Sequence, residues 1–231
     1  AGHGVLVRGA LAKGLLAGRP AQPYLDHSAD QVAGVQAEMR KQVNKEDVIL
    51  DLTKQFGLSM NKSLRTIIVL LMITIKSFTF NPFQENTYIA FDESNECIIV
   101  DPGCYDHEEN KILKSYIEEN HLKPVALINT HCHLDHVFGN KFVCDTFNLK
   151  PLMHKLDLPM LEYAPLAANK YGVQLAELPE VEGFIEEGDV VKFGDSEFEI
   201  IFTPGHAPGH ICLINKKENI ALCADVLFHL S

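Results

Sequence analysis

Cysteine pairs, long apolar runs and positive charge are all scarce in this chain of 231 residues. Its six cysteines are scattered and none forms a Cys-x-x-Cys pair, which argues against a secreted disulfide scaffold and favours a reducing compartment. The longest apolar run, residues 67–75, has about half the length that a membrane span needs, so we interpret it as a buried strand. The first residues lack the apolar core of a signal peptide. These features predict a cytoplasmic protein that does not act at a membrane.

Positive charge is limited to 20 Lys and Arg against 31 Asp and Glu, which gives a formal net charge of −11. This balance argues against nucleic acid or an anionic membrane surface as the main partner. The charge is also unevenly distributed, because residues 1–71 carry a net charge of +3 and residues 72–231 a net charge of −14. We therefore predict an N-terminal extension over 1–71, of separate origin, and a second domain over 72–231.

After Met72 the pattern alternates between strands and helices. We predict strands at 73–79, 87–91, 97–100 and 125–129, helices at 140–147 and 158–171, and hairpins over 190–202 and 211–224. Another helix is expected to begin at Asp106, because Glu109 completes a capping box three residues later. In the extension, residues 28–43 predict a short helix with Ser28 as its N-cap. The alternation predicts an α/β fold.

Four side chains that commonly bind metal ions follow the predicted strand at 125–129: His131, His133, Asp135 and His136. Imidazole nitrogens and carboxylate oxygens suit zinc, and also iron or manganese. In an extended loop His131 and His133 point to the same side, so both can reach one ion. Asp135 and His136 can then face a neighbouring ion after the chain turns. A chance grouping in an exposed polar loop is disfavoured by the apolar strand before it.

The order His-x-His-x-Asp-His after a short strand resembles the signature of the metallo-β-lactamase superfamily. Three further motifs follow the order of that family, namely Asp101-Pro102-Gly103, Thr203-Pro204-Gly205-His206 and Ala224-Asp225. The resemblance covers residues from about 72 to 231 and implies a metallo-β-lactamase-like αββα sandwich. It also implies that Asp101 braces the loop that binds the metals.

The resemblance implies six metal ligands: His131, His133 and His206 for one divalent ion, Asp135 and His136 for a second, and Asp225 between the two. Zinc is the expected metal at both positions, with iron or manganese as alternatives. The last ligand of the family, a histidine near the C-terminus, has no match, since His229 lies only four residues beyond Asp225. We therefore expect a domain that lacks its C-terminal part, which leaves the occupancy of the second metal position open.

The expected chemistry is hydrolysis. Two cations about 3.5–4 Å apart can hold a bridging water and lower its pKa towards neutrality. The hydroxide then attacks an ester or thioester carbonyl, whose developing charge is stabilised by a metal. We expect Asp135 to orient that hydroxide as well as to bind metal, which makes it the candidate catalytic residue. Cys132 points away from the ligands and is interpreted as a packing residue, with a reactive thiol as the alternative.

The motif order is similar to that of the glyoxalase-II-like branch, which includes hydroxyacylglutathione hydrolases. This similarity implies a small-molecule thioester or ester as the substrate. Persulfide dioxygenases, which use one iron, are an alternative, although their loop tends to read Thr-Asp-Gly where this chain has Ala207-Pro208-Gly209. An inactive, truncated metal-binding domain is another alternative. Residues 1–45 resemble a fragment of an aldo/keto reductase that contains none of the catalytic residues of that family.

Overall fold

The computed structural model describes residues 5–6 and 72–226 of the chain. The strands, in chain order, are β1 (Val5–Leu6), β2 (Thr74–Phe80), β3 (Glu85–Phe91), β4 (Glu96–Val100), β5 (Lys123–Ile128), β6 (Pro151–Met153), β7 (Gly183–Phe184), β8 (Val190–Phe193), β9 (Ser196–Phe202), β10 (Ile211–Asn215) and β11 (Ile220–Leu222). The helices are α1 (His107–Glu119), α2 (Leu134–Val137), α3 (Asn140–Phe147) and α4 (Leu158–Tyr171). The helix predicted at 28–43 lies outside the described residues, as does most of the apolar run at 67–75.

The strands form two sheets. The first has the order β2-β3-β4-β5-β6-β7, in which β2, β3 and β4 are antiparallel and β4 to β7 are parallel. The second has the order β1-β11-β10-β9-β8 and is antiparallel, except that β1 runs parallel to β11. The parallel strands matter for function, because their carboxyl ends meet at a single edge, where α/β folds present their sites.

Side chains alternate between the two faces of each strand, and both faces of the first sheet are covered. Tyr88 and Ala90 on β3 point to the inner face and are buried in one cluster with residues of the second sheet such as Phe198 and Leu213. Ile89, between Tyr88 and Ala90, points to the opposite face, as the two-residue period of a strand requires. Because the core lies between the two sheets, the strands of both sheets contain many apolar residues.

Helices α1 and α3 pack on the outer face of the first sheet. Leu113 and Ile117 of α1 lie one turn apart and are buried with Val143 of α3, since residues four positions apart share a helix face. The helix, sheet and sheet layers confirm the predicted metallo-β-lactamase-like fold. The predictions of α3 at 140–147 and α4 at 158–171 are also confirmed.

Asp106 caps α1 as predicted, but the reciprocal half of the capping box differs, because Glu109 does not accept from the Asp106 N–H. Asp106 Oδ1 accepts a hydrogen bond from the Glu109 backbone N–H at 2.9 Å. Glu109 in turn accepts from the backbone N–H groups of Tyr105 and Asn81, at 2.7 and 2.8 Å. These bonds fix the start of the helix. They also join it to the turn between β2 and β3.

Two predictions about the chain as a whole can be compared with the described residues. Within residues 72–226, no helix is long and apolar enough to cross a bilayer. All six cysteines lie in this range and all are free thiols, which agrees with the absence of a disulfide framework predicted from their spacing.

Candidate metal centre

The predicted ligands come from loops of both sheets. The segment from His131 to His136 follows β5, and Asp101 follows the neighbouring parallel strand β4. The second sheet supplies His206 from the loop between β9 and β10. It also supplies Asp225 from a 3-10 turn, Ala224–Val226, just after β11. The structure therefore brings all six predicted ligands to the edge where the parallel strands end.

Three imidazoles converge in one group. The ligand nitrogens of His131, His133 and His206 all lie within 4.8 Å of one another. Their ring centroids are 4.4 to 4.9 Å apart, and the rings are close to perpendicular. His131 is fully buried, whereas His133 and His206 are partly exposed. The group is thus anchored in the protein on one side and open to solvent on the other.

A second group surrounds His136. Its Nε2 lies 3.6 Å from Asp135 Oδ2 and 3.7 Å from Asp225 Oδ1. The other oxygen of Asp225, Oδ2, lies 3.6 Å from His206 Nε2 in the first group. The two oxygens of one carboxylate therefore face the two groups separately, which is the arrangement expected of a ligand shared by two ions.

The donor atoms of these residues fit divalent cations. Among the described residues, the buried Nε2 atoms of His131 and His136 have no hydrogen-bond partner, and a buried polar atom without a partner is costly. Three imidazole nitrogens in one group, and an imidazole with carboxylates in the other, are donor sets that bind zinc, iron or manganese. Two cations at these positions would satisfy both nitrogens.

Burial also favours the protonation state that binds metal. Burial lowers the pKa of His131 well below its usual value, and the neighbouring rings of His136 and His210 lower it further. Burial likewise lowers the pKa of His133, although the nearby Asp135 carboxylate opposes this shift. Both imidazoles are therefore neutral near pH 7, and the neutral form is the one that donates a lone pair to a cation.

Asp101 supports the segment that carries the candidate ligands from His131 to His136, as the resemblance implied. Its Oδ1 accepts from the Thr130 backbone N–H at 2.7 Å, and its Oδ2 accepts from the Thr130 hydroxyl at 2.6 Å. The same Oδ2 lies 3.1 Å from His136 Nδ1. A carboxylate beside Nδ1 favours the tautomer that leaves Nε2 free to bind. Asp101, His131 and His136 also form a close group that could hold a metal ion. Because Thr130 and His136 already contact both oxygens of Asp101, we assign Asp101 a supporting role.

Glu85, which was not among the predicted site residues, lies near the same ring nitrogen of His136 as Asp101. Its side chain is fully buried, and its Oε1 is 3.7 Å from His136 Nδ1. A Cβ atom at Gly103 would lie only 2.0 Å from Glu85 Oε2, so the glycine of the Asp-Pro-Gly motif leaves room for this carboxylate. Glu85 gives no signal in the sequence, because a glutamate at the start of an alternating strand is usually exposed to solvent.

Cys132 and two further histidines, His154 and His210, lie outside the two ligand groups. Cys132 is buried with its Sγ 3.4 Å from Met153 Sδ, and burial raises its pKa well above the usual value, which supports the packing interpretation. The His154 ring stacks on the Phe202 ring, with centroids 4.4 Å apart. His210 is fully buried and stacks on His131 at 4.7 Å, so it helps to hold that ring in place.

The family of the chain follows from comparison with known proteins. Residues 80–231 match the model of the metallo-beta-lactamase superfamily. The chain belongs to this superfamily, as its motifs and fold indicated.

The chain is also similar to individual members of known function or structure. The chain is similar to hydroxyacylglutathione hydrolase GloC of Haemophilus influenzae, with 31% identity over 163 residues that cover 68% of this chain and 73% of that protein. Among solved structures, it resembles TTHA1623 in a di-iron-bound form, with a TM-score of 0.55 and 32% identity over 64% of this chain and 70% of that one. It also resembles the B3 metallo-beta-lactamase BLEG-1, with a TM-score of 0.57 and 26% identity over 67% and 73% of the two chains.

Proposed function

We propose that the protein is a metal-dependent hydrolase that cleaves a small-molecule thioester or ester. The observation that carries this proposal is the position of Asp225, whose two oxygens face His136 and His206 at 3.7 and 3.6 Å. That position supports two neighbouring cations, one held by His131, His133 and His206 and the other by Asp135 and His136. Zinc is the expected metal, with iron or manganese as alternatives.

The residues of the chain prepare the site for attack on a carbonyl carbon. When bound, two divalent cations lower the pKa of a water held between them and stabilise charge on the carbonyl oxygen. Asp135 is a quarter exposed, and its Oδ2 is 3.6 Å from His136 Nε2. It is therefore placed to accept a hydrogen bond from the attacking water and to orient it. The buried side of the site, formed by His131 and His136, excludes bulk solvent.

The choice of a thioester is supported by the relatives. GloC is named as a hydroxyacylglutathione hydrolase, and its match covers 68% of the present chain. Hydroxyacylglutathione is a thioester, and its hydrolysis needs no nucleophilic side chain when metal ions activate water. The Cys132 thiol fits such a mechanism, because its burial raises its pKa well above the usual value and disfavours the thiolate.

The test combines metal analysis with an assay. We expect the purified protein to contain about two divalent ions per chain, by elemental analysis, and to hydrolyse a glutathione thioester at a rate that chelation abolishes. His206→Ala should reduce both the metal content and the rate, since it removes a ligand of the first group. Bound metal without hydrolysis of any thioester or ester would contradict the proposed reaction. A single iron with oxygen uptake would instead support the dioxygenase alternative.

A further inference from the structure

Asp157 is a buried carboxylate that the proposed reaction does not use. It ends the short 3-10 helix Lys155–Asp157, which follows β6, and its exposed fraction is 0%. Within residues 72–226, no lysine or arginine forms an ion pair with it. A buried carboxylate is costly unless hydrogen bonds compensate for the lost water. The hydrogen-bond donors to Asp157 therefore indicate its structural role.

Its two oxygens accept from backbone N–H groups in the two loops that carry the first group of ligands. Asp157 Oδ2 accepts from the Cys132 N–H at 2.7 Å, and Cys132 lies between His131 and His133. Asp157 Oδ1 accepts from the Gly209 N–H at 2.5 Å, three residues after His206. One carboxylate thus bonds to a loop of the first sheet and to a loop of the second.

Asp157 also lies at the start of α4. It occupies the N-cap position of α4, where an aspartate usually accepts a hydrogen bond from its own helix. Here the side chain makes no cap bond, because both oxygens are directed to the ligand loops instead. Asp106 shows the usual behaviour in the same chain, with a cap bond of 2.9 Å to Glu109.

Gly209 is in direct contact with Asp157. A Cβ atom at Gly209 would lie 2.7 Å from the Asp157 backbone nitrogen and 2.9 Å from its Oδ1, which is closer than real Cβ contacts. The loop can therefore approach the carboxylate only with glycine at this position. This accounts for the second glycine of the sequence Thr-Pro-Gly-His-Ala-Pro-Gly-His in structural terms.

We propose that Asp157 is a positioning residue that holds the loop of His131 and His133 against the loop of His206 and so sets the metal affinity of the three-histidine group. This inference rests on the proposed function, because it assumes that the group binds a metal. The three histidines lie on loops of two different sheets. A cation therefore binds tightly only if the two loops are already held in the correct relative position. Loss of a supporting residue of this kind typically weakens metal binding about 10- to 100-fold.

The test uses the full chain and compares Asp157→Asn with a matched control, Asp92→Asn. An asparagine has the same shape, but its single oxygen accepts from one loop only and its NH2 group then faces the other N–H. Asp92 is also buried and accepts from two loops, through the N–H groups of Ser94 and Asp195 at 3.0 and 2.9 Å. It lies at the opposite ends of its strands from the metal centre, so its loss should affect folding alone.

The measurements are the zinc dissociation constant by chelator competition, the visible spectrum of the cobalt-substituted protein, and urea unfolding of the metal-free protein. We expect Asp157→Asn to raise the zinc dissociation constant about 10- to 100-fold and to change the cobalt spectrum. Asp92→Asn should lower stability and leave both metal properties unchanged. If Asp157→Asn does not fold, Gly209→Ala replaces it, because that change disturbs the same contact from the other loop and should weaken zinc binding in the same way.

The outcomes separate this inference from the function on which it rests. Wild-type zinc affinity and an unchanged cobalt spectrum in folded Asp157→Asn or Gly209→Ala would overturn the positioning role alone. An equal loss of zinc affinity in Asp92→Asn would overturn it too, since the effect would then follow general stability. A wild-type protein that binds neither zinc nor cobalt would overturn the proposed metal centre itself.

Discussion

Individual side chains of the site depend on neighbours that do not bind metal. His136 is the clearest case, because its Nδ1 lies 3.1 Å from Asp101 Oδ2 and 3.7 Å from Glu85 Oε1. Asp101 also adopts a left-handed backbone conformation, with φ of 49°. A non-glycine residue in this conformation is strained, and such strain is concentrated at functional sites. The buried carboxylates therefore set the orientation of a ligand from behind.

We predict that Asp101→Asn weakens the second metal position selectively. The neutral amide removes the negative charge that lies 3.1 Å from His136 Nδ1, so the tautomer with Nε2 free is less favoured. The expected result is a loss of affinity for the second equivalent of metal of about 10- to 100-fold, with a smaller effect on the first. Titration of the metal-free protein with zinc measures both steps. Equal affinities in variant and wild type would show that Asp101 does not control His136.

We also predict that Cys132→Ala retains metal and activity. Cys132 is buried against Met153, and only its backbone N–H takes part in the site, through Asp157. The expected cost is about 1 kcal/mol of unfolding free energy from the lost packing, measured by urea denaturation. Iodoacetamide should not label this thiol in the folded protein. Loss of hydrolysis with full metal content would favour the reactive-thiol interpretation instead.

At the scale of helices and strands, the structure shows which signals in the sequence were informative. Helices α3 and α4 were predicted with the correct bounds, since an apolar face marks them and Gly172, in a left-handed conformation, ends α4. Strand β7 was missed, because two residues, Gly183–Phe184, are too short to show an alternating pattern.

The candidate ligands can be named from the sequence because they are close together along the chain or follow recognisable motifs, whereas the residues that support them cannot. Asp157 precedes Leu158 and Pro159, a pattern typical of a helix N-cap, and nothing in the sequence shows that its side chain turns to Cys132 and Gly209 instead. Those contacts join residues 25 and 52 positions apart. Only the packing of the two sheets brings them together.

The N-cap bond of α1 gives a prediction that concerns folding alone. Asp106→Ala removes the acceptor of the Glu109 N–H, so we expect a loss of about 1 kcal/mol of unfolding free energy with unchanged metal binding. Asp145→Ala is the control, because among the residues that the structure describes this exposed side chain of α3 forms an ion pair with Lys141 alone, and such pairs contribute about 0.3–0.5 kcal/mol. Urea denaturation of the two variants should give clearly different midpoints. Equal midpoints would show that the cap bond contributes little.

For the whole molecule, we propose that residues 72–226 hold the entire described site and that residues 1–71 form an extension. The structure describes one contact from the extension, the parallel pairing of Val5 and Leu6 with Ile220 and Ala221 of β11. We predict that a chain beginning at Met72 keeps its far-ultraviolet circular dichroism and its metal content. A cooperative loss of both on removal of residues 1–71 would show that the extension is part of the fold.

Metal removal should lower the stability of the whole molecule. A ligand that binds only the folded state stabilises it by about 4 kcal/mol when its concentration is 1,000 times the dissociation constant. We therefore expect a chelator to lower the unfolding midpoint and added zinc to restore it, as measured by thermal denaturation. His131→Ala should remove most of this difference, whereas Asp145→Ala should retain it. The same midpoint with and without chelator would argue against metal binding in the folded state.

The distribution of the three histidines over two sheets has one more consequence. His131 and His206 are 75 positions apart, so an ion bound by both closes a long loop of the chain, as a disulfide between those positions would. A closed loop restricts the unfolded chain, and the restriction grows with loop length. In a chain whose six cysteines are all free, an ion bound there would be a reversible cross-link and would make the folded state sensitive to the supply of metal.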